Sequence, residues 1–213
     1  MQKTIQRAMP FWEACVETPF IQEMKSGRLP MDKFKHYIIQ DSIFLKHYAR
    51  VCGKAMYHAS SFRDIQFLYS ILRFVEENES SIRVIYLKKL GLNDEEINVL
   101  QPAHANRNSI RFLLNMAEQG DTDRILMALL PCLLSYSHIF RTIAAAKEIE
   151  QSDYKDFIID YADEGYAQDC LSWIAFVDER FSDWPEDKQN ELATIFEEAS
   201  SLEVDFWHMA YQG

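Results

Sequence analysis

Residues 128–140 read ALLPCLLSYSHIF, an apolar stretch in which Cys132 follows Pro131 and Tyr136 stands four residues beyond the thiol. On a helix that carries Ile125, Leu129, Ile139 and Ile143 along one face, Cys132 and Tyr136 are neighbours on that face. Other polar groups interrupt apolar stripes of the same period. Asp41 lies seven residues after Phe34 and seven before Tyr48, on the stripe Phe34, Tyr37, Ile38, Phe44, Leu45, Tyr48. Glu203 lies seven after Phe196 and three before Phe206, on the stripe Leu192, Ile195, Phe196, Ala199, Phe206, Ala210. Tyr161 brings a hydroxyl to the face of Phe157 and Ile158. A buried polar side chain costs free energy unless it has a partner or a job. Two carboxylates, one thiol and two phenols turned inward from four helices are a set that an enzyme built around a thiol would use and a plain core rarely collects.

Packing readings stand beside the chemical one. Free cysteines are among the most buried residues and are usually inert, and a buried Asp or Glu can serve an ion pair or a helix cap. Tyrosines on an apolar face are commonly core residues. Pro131 has no N–H, leaves a carbonyl one turn earlier without its helical donor, and can bend the helix beside Cys132; prolines also kink helices for packing alone.

The elements that must position these groups are helices. Six glycines and six prolines in 213 residues are too few for the turns of a sandwich or barrel. A composition of 48% hydrophobic and 26% charged residues is globular, and the length suits one domain over residues 1–213. The pattern predicts helices over Gln2–Gly27, from Met31 through Ala59, over Phe62–Leu90, from Asn93 to about Leu100, over Asn106–Glu118, over Asp121–Lys147, from a Ser152 cap to about Phe181, and from Trp184-Pro185 to near Tyr211. The expected fold class is an all-α, single-domain bundle of roughly seven or eight helices.

A net charge of -11 with no basic stripe argues against nucleic acid as a ligand. The longest unbroken apolar run, Ile125–Leu134, is ten residues, short of the roughly 20 that span a membrane. The opening MQKTIQRAMPFWEACV has no signal-peptide pattern, so a cytoplasmic protein is expected. Cys15, Cys52, Cys132 and Cys170 form no CxxC pair and are expected as reduced thiols, with neither a disulfide framework nor a zinc site.

Five segments in order, FWEACVETPFIQEMKSGRLP, YIIQDSIFLKHYAR, ALLPCLLSY, YADEGYA and LEVDFWHMA, make the whole chain resemble the TenA family, the thiaminase II or aminopyrimidine aminohydrolase proteins of thiamin salvage. That resemblance implies a heme-oxygenase-like all-α fold, a homotetramer, no cofactor, and a small-molecule aminopyrimidine or thiamin as substrate. Carried over by position, it implies Cys132 as the catalytic cysteine and Glu203 as the catalytic glutamate. It makes Asp41 the aspartate that holds the aminopyrimidine, Tyr136 and Tyr161 tyrosines lining the site, and Phe206 an aromatic on the ring.

Two positions depart from the family pattern. Phe44 stands where a tyrosine is frequent and keeps the aromatic face without the hydroxyl, and PAHANRNSIRF lacks a Tyr-Thr pair, leaving Asn106, Asn108 or Ser109 as substitutes. Two rivals remain. A redox protein of the same fold class would want two E-x-x-H motifs for di-iron or an early histidine for heme; the sequence offers one D-x-x-H, Asp205 to His208, and no histidine before His36. A non-catalytic pyrimidine binder or regulator would need neither Cys132 nor Glu203.

Overall fold

The computed structural model describes residues 1–75, 80–181 and 184–213, and no strand occurs among them. The fold is all-α. The helices are α1 Gln2–Val16, α2 Pro19–Lys25, α3 Met31–His58, α4 Phe62–Phe74, α5 Ser80–Lys89, α6 Asp94–Asn98, α7 His104–Gln119, α8 Thr122–Ala144, α9 Lys155–Tyr161, α10 Glu164–Phe181 and α11 Glu186–Gln212, with a 3₁₀ turn at Lys147–Gln151. These are more and shorter helices than the sequence pattern predicts.

The extra breaks have local causes. The segment expected as one helix over Gln2–Gly27 divides because Pro19 opens α2 and Thr18, ahead of it, is extended at φ −63°, ψ 146°. The segment expected from Ser152 to Phe181 divides because the Asp163 carboxylate accepts the Gly165 N–H at 2.7 Å and caps α10. Ser152 caps no helix: its hydroxyl donates to the Met24 carbonyl at 2.7 Å and accepts the Tyr154 N–H at 3.1 Å. α8 stops at Ala144, short of the expected Lys147. Of the helix expected over Phe62–Leu90, α4 and α5 are described, and residues 76–79 lie outside the described residues. The capping box at Asn93 and Glu96 forms as the sequence predicts.

The chain gathers into two compact units, one of Met1–Leu29 with Leu130–His208, the other of Pro30–Leu129 with Met209–Gly213. In the first, the core is built on Trp12, Phe20, Phe140, Phe157, Phe196 and Trp207, all nearly or fully buried. Polar bonds tie distant segments of this unit together: Trp12 Nε1 donates to Ser200 Oγ at 3.2 Å, and the Tyr154 hydroxyl donates to the Leu29 carbonyl at 2.7 Å. In the second unit, α3 packs against α4 and α7 and buries its Phe34, Tyr37, Ile38 and Tyr48. The Gln40 side chain accepts the Ala103 N–H at 2.9 Å, and the Tyr48 hydroxyl donates to the Leu129 carbonyl at 3.1 Å.

α8 is long and apolar enough to cross a membrane by composition, which the ten-residue run did not suggest, yet 83% of that window is buried against the rest of the protein. Burial of that kind marks a core helix. It runs unbroken through Pro131.

Gly27 ends α2 in a Schellman arrangement, with its N–H on the Met24 carbonyl and the Arg28 N–H on the Glu23 carbonyl, at φ 70°. A Cβ there would stand 3.1 Å from Ser152 Cα and 3.3 Å from the Gln151 carbonyl oxygen. Gly53, inside α3, has open space around it. Gly27→Ala is therefore expected to lose at least about 2 kcal/mol, and Gly53→Ala to gain about 0.5–1 kcal/mol, by urea denaturation. Equal effects at the two sites would refute the backbone argument.

Candidate active site

Three helices of the first unit supply the groups singled out in the sequence. α8 carries Cys132, Ser135 and Tyr136, α11 carries Glu203, Phe206 and Trp207, and α9 ends on Tyr161. Glu203 is the junction. Its carboxyl is hydrogen-bonded to the Ser135 hydroxyl through Oε2 and to the Cys132 side chain. Although the residue as a whole is half-buried, the carboxyl group sits in low-dielectric surroundings. Burial pushes its pKa up from 4.5 to about 7, against the smaller opposing pull of the Ser135 and Cys132 hydrogen bonds. An acid with that pKa can give and take protons near neutrality.

Aromatic rings cluster on the same three helices. Tyr136 lies 5.3 Å from Tyr161 and 5.3 Å from Trp207 by ring centroids, and Phe140 stacks on Tyr161 at 4.9 Å. Phe206 meets Trp207 edge-on at 5.9 Å. Tyr136, Tyr161 and Phe206 are all buried, in keeping with the stripes on which the sequence places them.

The four thiols differ in access. Cys15, Cys52 and Cys170 are buried, whereas Cys132 is partly exposed even though its helix neighbours Leu129 and Leu133 are fully buried. Desolvation raises the Cys15 and Cys52 pKa values far above their ordinary range, and the Glu203 charge adds to the effect at Cys15. The Cys170 thiol sits 3.8 Å from the Leu133 carbonyl. A separate groove of about 520 Å³ in this unit, lined by Trp12, His138, Arg141 and Cys170 among others, includes neither Cys132 nor Glu203.

Asp41 and Phe44 belong to the second unit, on α3. Asp41 is buried, as its place on the stripe predicts, and Phe44 is half-buried with its ring 6.0 Å from Tyr48. Asn106, weighed as a substitute for the missing tyrosine, is fully buried and commits Nδ2 to the Gln40 carbonyl at 2.7 Å and to Gln40 Oε1 at 2.9 Å. Ser109 bonds back to the Ala105 carbonyl at 3.3 Å. Among the described residues no group of three or more His, Cys, Asp or Glu side chains is placed to hold a metal ion.

Sequence reasoning did not single out Ser135, Trp207 or Phe140. Ser135 had a signal: it stands three residues after Cys132, within reach of the same face, inside an apolar run that gives it no solvent. Trp207 and Phe140 read as ordinary core.

The TENA/THI-4/PQQC family model matches residues 5–213, and the chain belongs to that family. It is 29% identical over 210 residues to an aminopyrimidine aminohydrolase of Halalkalibacterium halodurans, covering 97% of this chain and 92% of that protein. It is also 29% identical over 213 residues to an aminopyrimidine aminohydrolase of Helicobacter pylori, covering 99% and 98%. The structure of a TenA homologue from P. horikoshii OT3 superposes with a TM-score of 0.87 at 26% identity, covering 99% of this chain and 97% of that one. The fold is heme-oxygenase-like: a Shewanella denitrificans domain described with that fold superposes with a TM-score of 0.75 at 13% identity, covering 99% and 91%.

Two outcomes follow from the geometry. Brief iodoacetamide treatment of the native protein is expected to alkylate Cys132 first by mass spectrometry, with Cys15, Cys52 and Cys170 reacting after unfolding; equal labelling of all four would contradict the burial. Because the folded protein holds the Glu203 proton up to about pH 7 and the unfolded chain releases it near 4.5, ionisation of this group works against folding as pH rises between those values. Glu203→Gln should therefore match wild type in thermal stability below about pH 4.5, exceed it increasingly up to about pH 7, and keep a constant lead above that. A gap already constant between those two values would remove Glu203 as the titrating group.

Proposed function

We propose that this protein is an aminopyrimidine aminohydrolase of thiamin salvage, releasing ammonia from 4-amino-5-(aminomethyl)-2-methylpyrimidine, and cleaving thiamin by the same chemistry, to give the hydroxymethylpyrimidine. The observation that carries the reading is the hydrogen-bonded pair of a partly exposed thiol and a buried acid poised near neutrality, in a chain that matches this family from residue 5 to residue 213. The Halalkalibacterium halodurans and Helicobacter pylori relatives named for the activity support the substrate class.

The substrate bears a poor leaving group on a methylene attached to an aromatic ring, so direct displacement is slow. In the proposed route Cys132 adds as the thiolate to ring C6, and the ring electrons then expel ammonia or the thiazole from the methylene. Glu203 protonates the departing group. Water next adds to the exocyclic methylene and gives its proton to Glu203, and the C6–S bond breaks to restore the aromatic ring and the thiolate. Glu203 thus passes once through each protonation state per turnover, which a pKa near 7 allows.

Asp41 is assigned to the exocyclic amine and the ring nitrogen, where a carboxylate favours the protonated, more electrophilic ring. Tyr136, Tyr161 and Phe206 are assigned to the walls around the ring, and Phe44 supplies an aromatic face without a hydroxyl. The chain is taken to act as a single domain, as a homotetramer and in the cytoplasm, in line with the family resemblance.

The test is ammonia release from the aminomethylpyrimidine, beside thiamin cleavage, by wild type, Cys132→Ser and Glu203→Gln. Wild type is expected to turn over, and each variant to lose at least about a hundredfold in kcat/KM. Wild-type inactivity on both compounds would overturn the substrate assignment, and full activity in Cys132→Ser would overturn the nucleophile.

A further inference from the structure

Ser135 is fully buried and its hydroxyl serves two acceptors. One is Glu203 Oε2; the other is the Cys132 backbone carbonyl, 3.1 Å away. Several serines of this chain bond back along their own helix, as Ser42 does to Ile38 and Ser200 to Phe196, so the second bond alone is ordinary. The combination is not, because a serine hydroxyl has one proton and cannot donate to both acceptors at once.

The conflict resolves if the partners change roles with the charge on Glu203. When Glu203 is a carboxylate, the Ser135 O–H donates to Oε2. When Glu203 is protonated, its own O–H can donate to Ser135 Oγ, and the serine proton turns to the Cys132 carbonyl. Neither state leaves a buried polar group unmatched, a condition that would otherwise cost free energy in one of the two.

We propose that Ser135 is a positioning residue that holds Glu203 beside Cys132 in both protonation states, by turning its single proton between Glu203 Oε2 and the Cys132 carbonyl. This rests on the acid-base role of Glu203 given above and deepens it, since turnover by that route requires Glu203 to be held in place as both acid and base. Cys132 on α8 and Cys15 on α1 are titratable side chains that interact with Glu203. Cys15 is buried and stays a neutral thiol, so it places no competing charge there.

The experiment reads the rate of Cys132 alkylation by iodoacetamide against pH, which needs no turnover, in wild type, Ser135→Ala, Ser135→Thr and Glu203→Gln. Wild type should show an inflection near pH 7 that Glu203→Gln abolishes. Ser135→Ala removes a donor that favours the carboxylate, so the inflection should move up by at least about half a pH unit, and Ser135→Thr, which keeps the hydroxyl, should restore it. With the aminomethylpyrimidine as substrate, Ser135→Ala should lose about tenfold in kcat with little change in KM. An unmoved inflection in Ser135→Ala, or a wild-type profile without a Glu203-dependent inflection, overturns the proposal. An unproductive aminopyrimidine assay with the alkylation pattern intact would instead count against the substrate assignment alone.

Discussion

Glu203, a half-buried residue whose carboxyl group lies in low-dielectric surroundings, ties α8 to α11 in the first unit. Glu203 sits on a helix that buries Leu192, Phe196, Phe206 and Trp207 among others, and in such surroundings an ionised carboxylate is held by donors aimed at it. α8 supplies both donors from one turn, Cys132 and Ser135. The rings of Tyr136, Tyr161, Phe140 and Trp207 pack on one another from α8, α9 and α11. Burial raises the pKa of the acid, and the two donors pull it back less.

Access to the thiol follows from the same packing. Cys132 remains open while Leu129 and Leu133 on the same helix are closed. A partly exposed thiol hydrogen-bonded to an acid in low-dielectric surroundings leaves its sulfur open to a reagent.

The legible part of this arrangement was whatever broke a 3.6-residue rhythm. Asp41 and Glu203 interrupt stripes of large apolar residues, and both carry burial that composition alone would not assign to a carboxylate. Tyr136 and Tyr161 could be placed inward, but not beside one another, because sequence spacing orders residues on one helix and says nothing of which helix faces which. Ser135 was hidden for a different reason: a serine within an apolar run reads as a tolerated small residue, and its use depends on a partner 68 positions away. The helix breaks at Thr18 and Ala162 escaped a periodic reading because each arises from a single local contest, a proline ring at Pro19 and the Asp163 carboxylate capturing the Gly165 N–H.

The discontinuity of the first unit bears on how the protein is made. Trp12 on α1 is bonded to Ser200 on α11, 188 residues later, and the segment Pro30–Leu129 of the other unit is synthesised in between. At ribosomal speeds of about 5–20 residues per second, α1 waits roughly 9 to 38 s for its partner to emerge. During that interval the apolar faces of α1, and of α8 once it is made, have no α11 to cover them. Pro30–Leu129, the bulk of the second unit, is available to collapse while translation continues, whereas its closing segment Met209–Gly213 and the pairing of the thiol with its acid wait until α11 has left the ribosome. The nascent chain therefore carries Cys132 through synthesis before the acid beside it exists, and exposed apolar helix faces of that kind are surfaces that chaperones bind.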